Sequence, residues 1–130
     1  SYFFMGDELD ETGGNVATTR TLIWDLADLD DPVLAREFMA ETKATDHNLY
    51  ILGNTMYQSN YKSGLVVYDV SDPENPVKTG QFDTVPYGGD DASMGGSWSN
   101  YPYFESGVVV VTSGREGLFL VRYRPRTVSE

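Results

Sequence analysis

The 130-residue chain carries nine basic against twenty acidic side chains, a net charge of −11, and no cysteine. So acidic a surface repels the phosphate backbone and excludes nucleic acid as a partner, while the missing thiols exclude disulfides and thiolate metal sites. No apolar run reaches the roughly 18 residues that span a bilayer, yet 40% hydrophobic and 13% aromatic content is enough for a packed core.

In chain order, Tyr2 to Gly6 reads as a strand, followed by a long acidic loop from Asp7 to Asn15. Strands are expected again at Arg20 to Leu26 and Val33 to Met39, separated by Asp28, Asp30, Asp31 and Pro32. Those residue types build turns, because Asp bonds its own backbone and Pro cannot continue a ladder. A helix over Asp28 to Met39 is rejected because Pro32 interrupts it and because the segment belongs to a repeat. Four further strands are expected at His47 to Leu52, Thr55 to Ser59, Gly64 to Val70 and Val77 to Thr84, then three at Asn100 to Glu105, Gly107 to Ser113 and Gly117 to Tyr123. No helix is expected anywhere.

The repeat organises these elements. Thr21 to Val33 returns as Leu65 to Val77 at a constant offset of 44 residues, and Gly64 to Tyr68 returns imperfectly as Gly117 to Val121, 53 residues later. A period of this length made of short strands is the mark of a β-propeller, each repeat supplying one four-stranded blade. The expected fold is therefore all-β: a β-propeller fragment of about two and a half to three four-stranded antiparallel blades. Blade 1 occupies 1–42 with strands b to d, blade 2 occupies 43–85, blade 3 occupies 86–123, and 124–130 is a tail. On this reading the chain begins inside a blade, its partners include the remaining blades of the same propeller, and its unpaired blade edges invite association.

Propeller geometry sorts the polar residues. Connections a–b and c–d share one face, where Asp25, Asp69, Asp72 and Glu74 read as turn builders. Connections b–c and d–a share the other, and there the loops are longer and more varied. His47, the lone histidine, Asn48, Tyr61, Trp98, Asn100, Arg115 and Glu116 are the candidate ligand-binding residues. An indole in a Gly-rich loop suits stacking on a sugar or peptide, and an imidazole and amides suit polar recognition. Asp7, Glu8, Asp10 and Glu11 are the candidate metal ligands: clustered oxygens suit Ca²⁺ or another divalent cation, although the alternating Asp spacing of a calcium loop is absent. No nucleophile motif, P-loop or zinc-protease helix is present, so no catalytic residue is assigned.

Gly64-Leu-Val-Val-Tyr-Asp-Val-Ser-Asp-Pro73 resembles the LVIVD repeat of bacterial and archaeal surface propellers. Asp7 to Glu11, Asp46 to Tyr50, Tyr57 to Tyr61, Gly96 to Pro102 and Glu116 to Phe119 are similar, in order, to segments of the choice-of-anchor B family. The resemblance spans about Ser1 to Tyr123. It implies an exported propeller held at the cell surface by a C-terminal anchor, and an extracellular location; it carries no reaction. The expected function is a non-enzymatic binding module, its ligand a glycan, peptide or surface protein. The alternative is a metal-dependent hydrolase or lyase in which the carboxylates and His47 hold an ion and activate water.

Overall fold

The computed structural model describes residues 1–125, which form ten strands and one single-turn helix. β1 (Tyr2–Gly6), β2 (Arg20–Asp25) and β3 (Val33–Met39) make a first sheet. β4 (Asn48–Leu52), β5 (Thr55–Ser59), β6 (Leu65–Asp69) and β7 (Val77–Phe82) make a second. β8 (Ser97–Tyr101), β9 (Val108–Ser113) and β10 (Gly117–Arg122) make a third. Every pairing is antiparallel between consecutive strands. The architecture is all-β, an arc of three propeller blades, and no helix among the described residues is long and apolar enough to cross a membrane.

The repeat has a physical content that the pairing makes visible. β2 and β6 each carry a register shift against their partner, between Ile23 and Trp24 in one and between Val67 and Tyr68 in the other. These are equivalent positions 44 residues apart, so the repeated sequence repeats the local kink as well as the strand.

Period-two alternation then decides which blade each side chain meets. Met56, Val66 and Tyr68 of the middle blade turn towards the first, where they bury Phe4 and Ile23. Tyr57, Leu65 and Val67, one residue out of phase, turn towards the third and bury Val109 and Val111. This explains why β6 is a nearly unbroken apolar run: both of its faces are covered. Each fully buried side chain, such as Ile23, Met56 or Val111, contributes about 1.5–3 kcal/mol by leaving water. The outward faces follow the same logic. Phe3 and Met5 on the first blade, and Leu118 and Leu120 on the third, occupy positions that are core in the middle blade, yet they are exposed.

Two features depart from the sequence-based expectation. The acidic loop contains α1 (Leu9–Gly13), closed by Gly14 in the left-handed conformation. The inner strand of the third blade begins at Ser97 rather than Asn100. Its turn to β9 spans residues 102–107, whereas β4 and β5 are joined by the two-residue Gly53–Asn54 turn. A constant offset carried across connections of unequal length therefore displaced the strand. Of the expected tail, residues 126–130 lie outside the described residues.

Candidate functional site

The long connection after β1 and the segment before β4 meet on one face of the arc. Four carboxylates that look like one cluster in sequence are separated by the conformation of the acidic loop. Only Asp10 and Glu11 lie within α1, where successive positions point about 100° apart; Asp7 and Glu8 precede the helix. Arg20, at the start of β2, pins the arrangement. Its Nε donates to Asp7 Oδ2 at 2.5 Å and its Nη2 to Asp10 Oδ2 at 2.6 Å. Its backbone N–H donates to Glu11 Oε1 at 3.0 Å. Asp46, in the segment leading to β4, completes the group, with one oxygen each from Asp7, Glu11 and Asp46 lying within 4.8 Å of one another. The four-residue metal set expected from sequence is divided in the structure. Asp7 and Glu11 converge with Asp46, while Asp10 is held by Arg20 and Asn15 and Glu8 belongs to another network.

Burial shapes the chemistry of this group. Asp46 is 4% exposed; its carboxyl is pushed up to about 7, by desolvation first and then by the charges of Glu11 and Asp7. Burial also raises Glu11, against the opposing hydrogen bond from the Arg20 backbone.

Glu8 reaches across to the second blade. Its Oε1 accepts from Tyr61 OH at 2.6 Å and lies 2.7 Å from His47 Nδ1. Against a carboxylate acceptor, Nδ1 is a nitrogen that carries a proton. Burial opposes ionisation of Glu8, but the bonds from Tyr61 and His47 prevail and lower its pKa. Tyr61 is raised by burial and by its bond to Glu8, so it remains a phenol and a donor. Trp98, at the second position of β8, packs against His47 with ring centroids 4.2 Å apart and planes tilted by 47°, and it meets the Tyr61 ring edge-on at 5.9 Å. It is 52% exposed, whereas Tyr61 is 1% exposed.

Backbone geometry holds this stack together. Tyr61 adopts φ 37°, in the left-handed region that non-glycine residues rarely enter. Its backbone N–H donates to Ser97 O at 3.1 Å and its carbonyl accepts from Ser97 N at 2.8 Å. This two-way bridge ties the second blade's loop to the start of β8 beside Trp98.

The expected ligand-binding residues fall into three places. His47 and Asn48 line a cavity of about 410 Å³ with Asp7, Glu8 and Asp46, and Tyr61 and Trp98 pack against His47. Arg115 and Glu116 line a second cavity of about 550 Å³ with Lys62 and Tyr87. Asn100 is buried, and its amide donates to Tyr57 O at 3.3 Å and Ser59 Oγ at 3.0 Å, so it ties the second and third blades together. On the opposite face, Asp69 and Asp72 accept from the backbone two residues on, as turn builders do.

Glu116 supplies a pH prediction. Hydrogen bonds from Ser113, at 2.5 Å, and Tyr87 hold its carboxyl down at about 2, against an ordinary 4.5. A carboxylate with a depressed folded pKa contributes stability above its unfolded value and loses it as pH falls towards the folded one. Acid unfolding followed by circular dichroism between about pH 4.5 and pH 2 is therefore expected to be shallower in Glu116→Gln than in the wild type.

Comparison with family models, curated proteins and solved structures returns no match to this chain. The site rests on its own geometry. Asp46 was the residue that sequence reasoning passed over, and its signal was its position beside the lone histidine in a d–a segment. Arg20 looked like an ordinary strand residue because nothing in its neighbours announces a carboxylate partner.

Proposed function

We propose that this chain is part of a non-enzymatic recognition module, a secreted or cell-surface-anchored β-propeller that binds a glycan, peptide or surface protein through the face carrying Trp98 and His47. One observation carries the reading: Trp98 is half exposed yet seated on an imidazole that Glu8 and Tyr61 already hold. An aromatic fixed in this way is a stacking platform that loses little freedom on binding. The polar groups around it are spent on one another, and a phenol kept protonated positions the imidazole without abstracting protons. The exposed apolar faces of the first and third blades support further blades as neighbours within one molecule. The surface location follows from the LVIVD and choice-of-anchor B resemblance.

The test is binding of the intact protein to glycan and peptide arrays. Trp98→Ala and His47→Ala are each expected to weaken the ligand so found by roughly tenfold or more, as loss of a central aromatic anchor does. Unchanged binding in both variants would remove the proposal. The grouping of Asp7, Glu11 and Asp46 favours a second reading, a metal-dependent hydrolase or lyase with His47 as base; turnover abolished by chelator would distinguish it.

A further inference from the structure

We propose that Asp7, Glu11 and Asp46 form a binding site for a hard divalent cation of the Ca²⁺ class, which clasps the first blade to the second. This inference is independent of the recognition reading and stands on three observations. Asp7 Oδ1, Glu11 Oε2 and Asp46 Oδ1 are each buried and without a hydrogen-bond partner among the described residues. Glu11 is 6% exposed and Asp46 4%. One oxygen from each residue lies within 4.8 Å of one from the other two, which is about twice a Ca²⁺–oxygen distance and so allows one ion to touch all three.

The remaining oxygens show that the group is preorganised. Arg20 engages Asp7 through Oδ2 and Glu11 through Oε1, which leaves each carboxylate one oxygen to offer. Gly6 makes room for the third: a Cβ there would meet Asp46 Oδ2 at 1.7 Å, so the end of β1 is closed down onto that carboxylate. A buried carboxylate that stays ionised needs a donor or a metal. Water has two protons for three acceptors, and the Arg20 guanidinium is committed to Asp7 and Asp10. A dipositive ion satisfies all three oxygens and offsets the charge that their crowding creates. Oxygen donors alone, with His47 Nδ1 turned to Glu8, select a hard ion over zinc or copper.

Position gives the ion a consequence. Asp7 and Asp46 are the chain neighbours of Glu8 and His47, so a cation bridging them holds the two halves of the Glu8–His47 contact in register. The site joins the connection after β1 to the segment entering β4.

The experiment uses the intact protein stripped with chelator, then titrated separately with Ca²⁺, Mg²⁺ and Mn²⁺. Binding is read by calorimetry and the unfolding midpoint by circular dichroism. At about 100-fold excess over its Kd, Ca²⁺ is expected to raise the midpoint by roughly 5–10 °C. Asp46→Asn and Glu11→Gln should each weaken binding by about tenfold or more, since affinity follows ligand charge, whereas Asp10→Asn should bind as the wild type does. In the chelated state Asp46→Asn should melt no lower than wild type, because it removes a crowded charge; that outcome keeps loss of binding distinct from loss of folding. A preference for Mn²⁺ or Mg²⁺ with the same variant pattern sustains the site and changes only its ion. No heat and no midpoint shift with any of the three ions, or equal binding in Asp46→Asn, overturns it.

Discussion

Gly96→Ala is expected to lower the unfolding free energy by at least about 3 kcal/mol and to dismantle the Trp98 stack with it. Gly96 sits at φ 112°, a conformation that side chains rarely adopt, and a Cβ there would lie 2.2 Å from Tyr61 O and 2.5 Å from Tyr61 C. Those are backbone atoms and cannot rotate aside. Relief must come from moving the chain at Tyr61 or at Ser97, and that breaks the two-way bridge between them. Because Tyr61 carries the hydrogen bond to Glu8 and Ser97 immediately precedes Trp98, the damage passes directly into the candidate site. Denaturant midpoints and tryptophan fluorescence read both effects. Gly89→Ala, with open space around its Cβ and no left-handed φ, is the control and should stay within about 0.5 kcal/mol of wild type. A Gly96→Ala protein of wild-type stability would show that the bridge does not constrain the fold.

Met56→Ala comes next in size, with an expected loss of about 2–5 kcal/mol. Met56 is fully buried, among Phe4, Ile23, Val66 and Tyr68, and it lies in the seam between the first and second blades. Truncating it removes apolar contact from both blades at once, and a seam between two stiff sheets has little freedom to collapse into the space. Leu118→Ala makes the useful contrast. Leu118 is just as apolar but 63% exposed on the outward face of the third blade, so in the 130-residue chain by itself, with no further blade against that face, its loss should cost less than about 0.5 kcal/mol. Urea unfolding of the two variants checks this, and equal losses would mean that the seam is not the core.

The contrast between Met56 and Leu118 also measures how far local sequence reaches. Strand positions along β1–β3, β5–β7, β9 and β10 were legible because alternation and turn residues act within a few residues of one another. The inner strand of the third blade was misplaced because its register depends on the length of the turn that follows it, and that length differs between repeats. α1 was missed because a single helical turn rich in Asp and Glu carries too little periodicity to stand out from a loop.

The candidate site divides in the same way. His47 and Trp98 stood out as the lone imidazole and an indole in a Gly-rich loop. Tyr61 was recognisable as a loop aromatic, but its near-complete burial came from Trp98 and His47, which approach from separate blades. The acidic run Asp7 to Glu11 announced charge without announcing geometry. Asp7 and Asp10 meet Arg20, and Asp7 and Glu11 meet Asp46, and neither partner is nearby in sequence.

By itself, the amino-acid order determined the repeat, the strand type and the face on which each loop emerges. All of these follow from backbone sterics and short-range periodicity. Only the tertiary structure decided which polar groups meet. Asp46 joins Asp7 and Glu11, and Glu8 joins His47 and Tyr61, because hydrophobic seams set the distance between blades, and hydrogen bonds and charges respond to distance in space, whatever the separation along the chain.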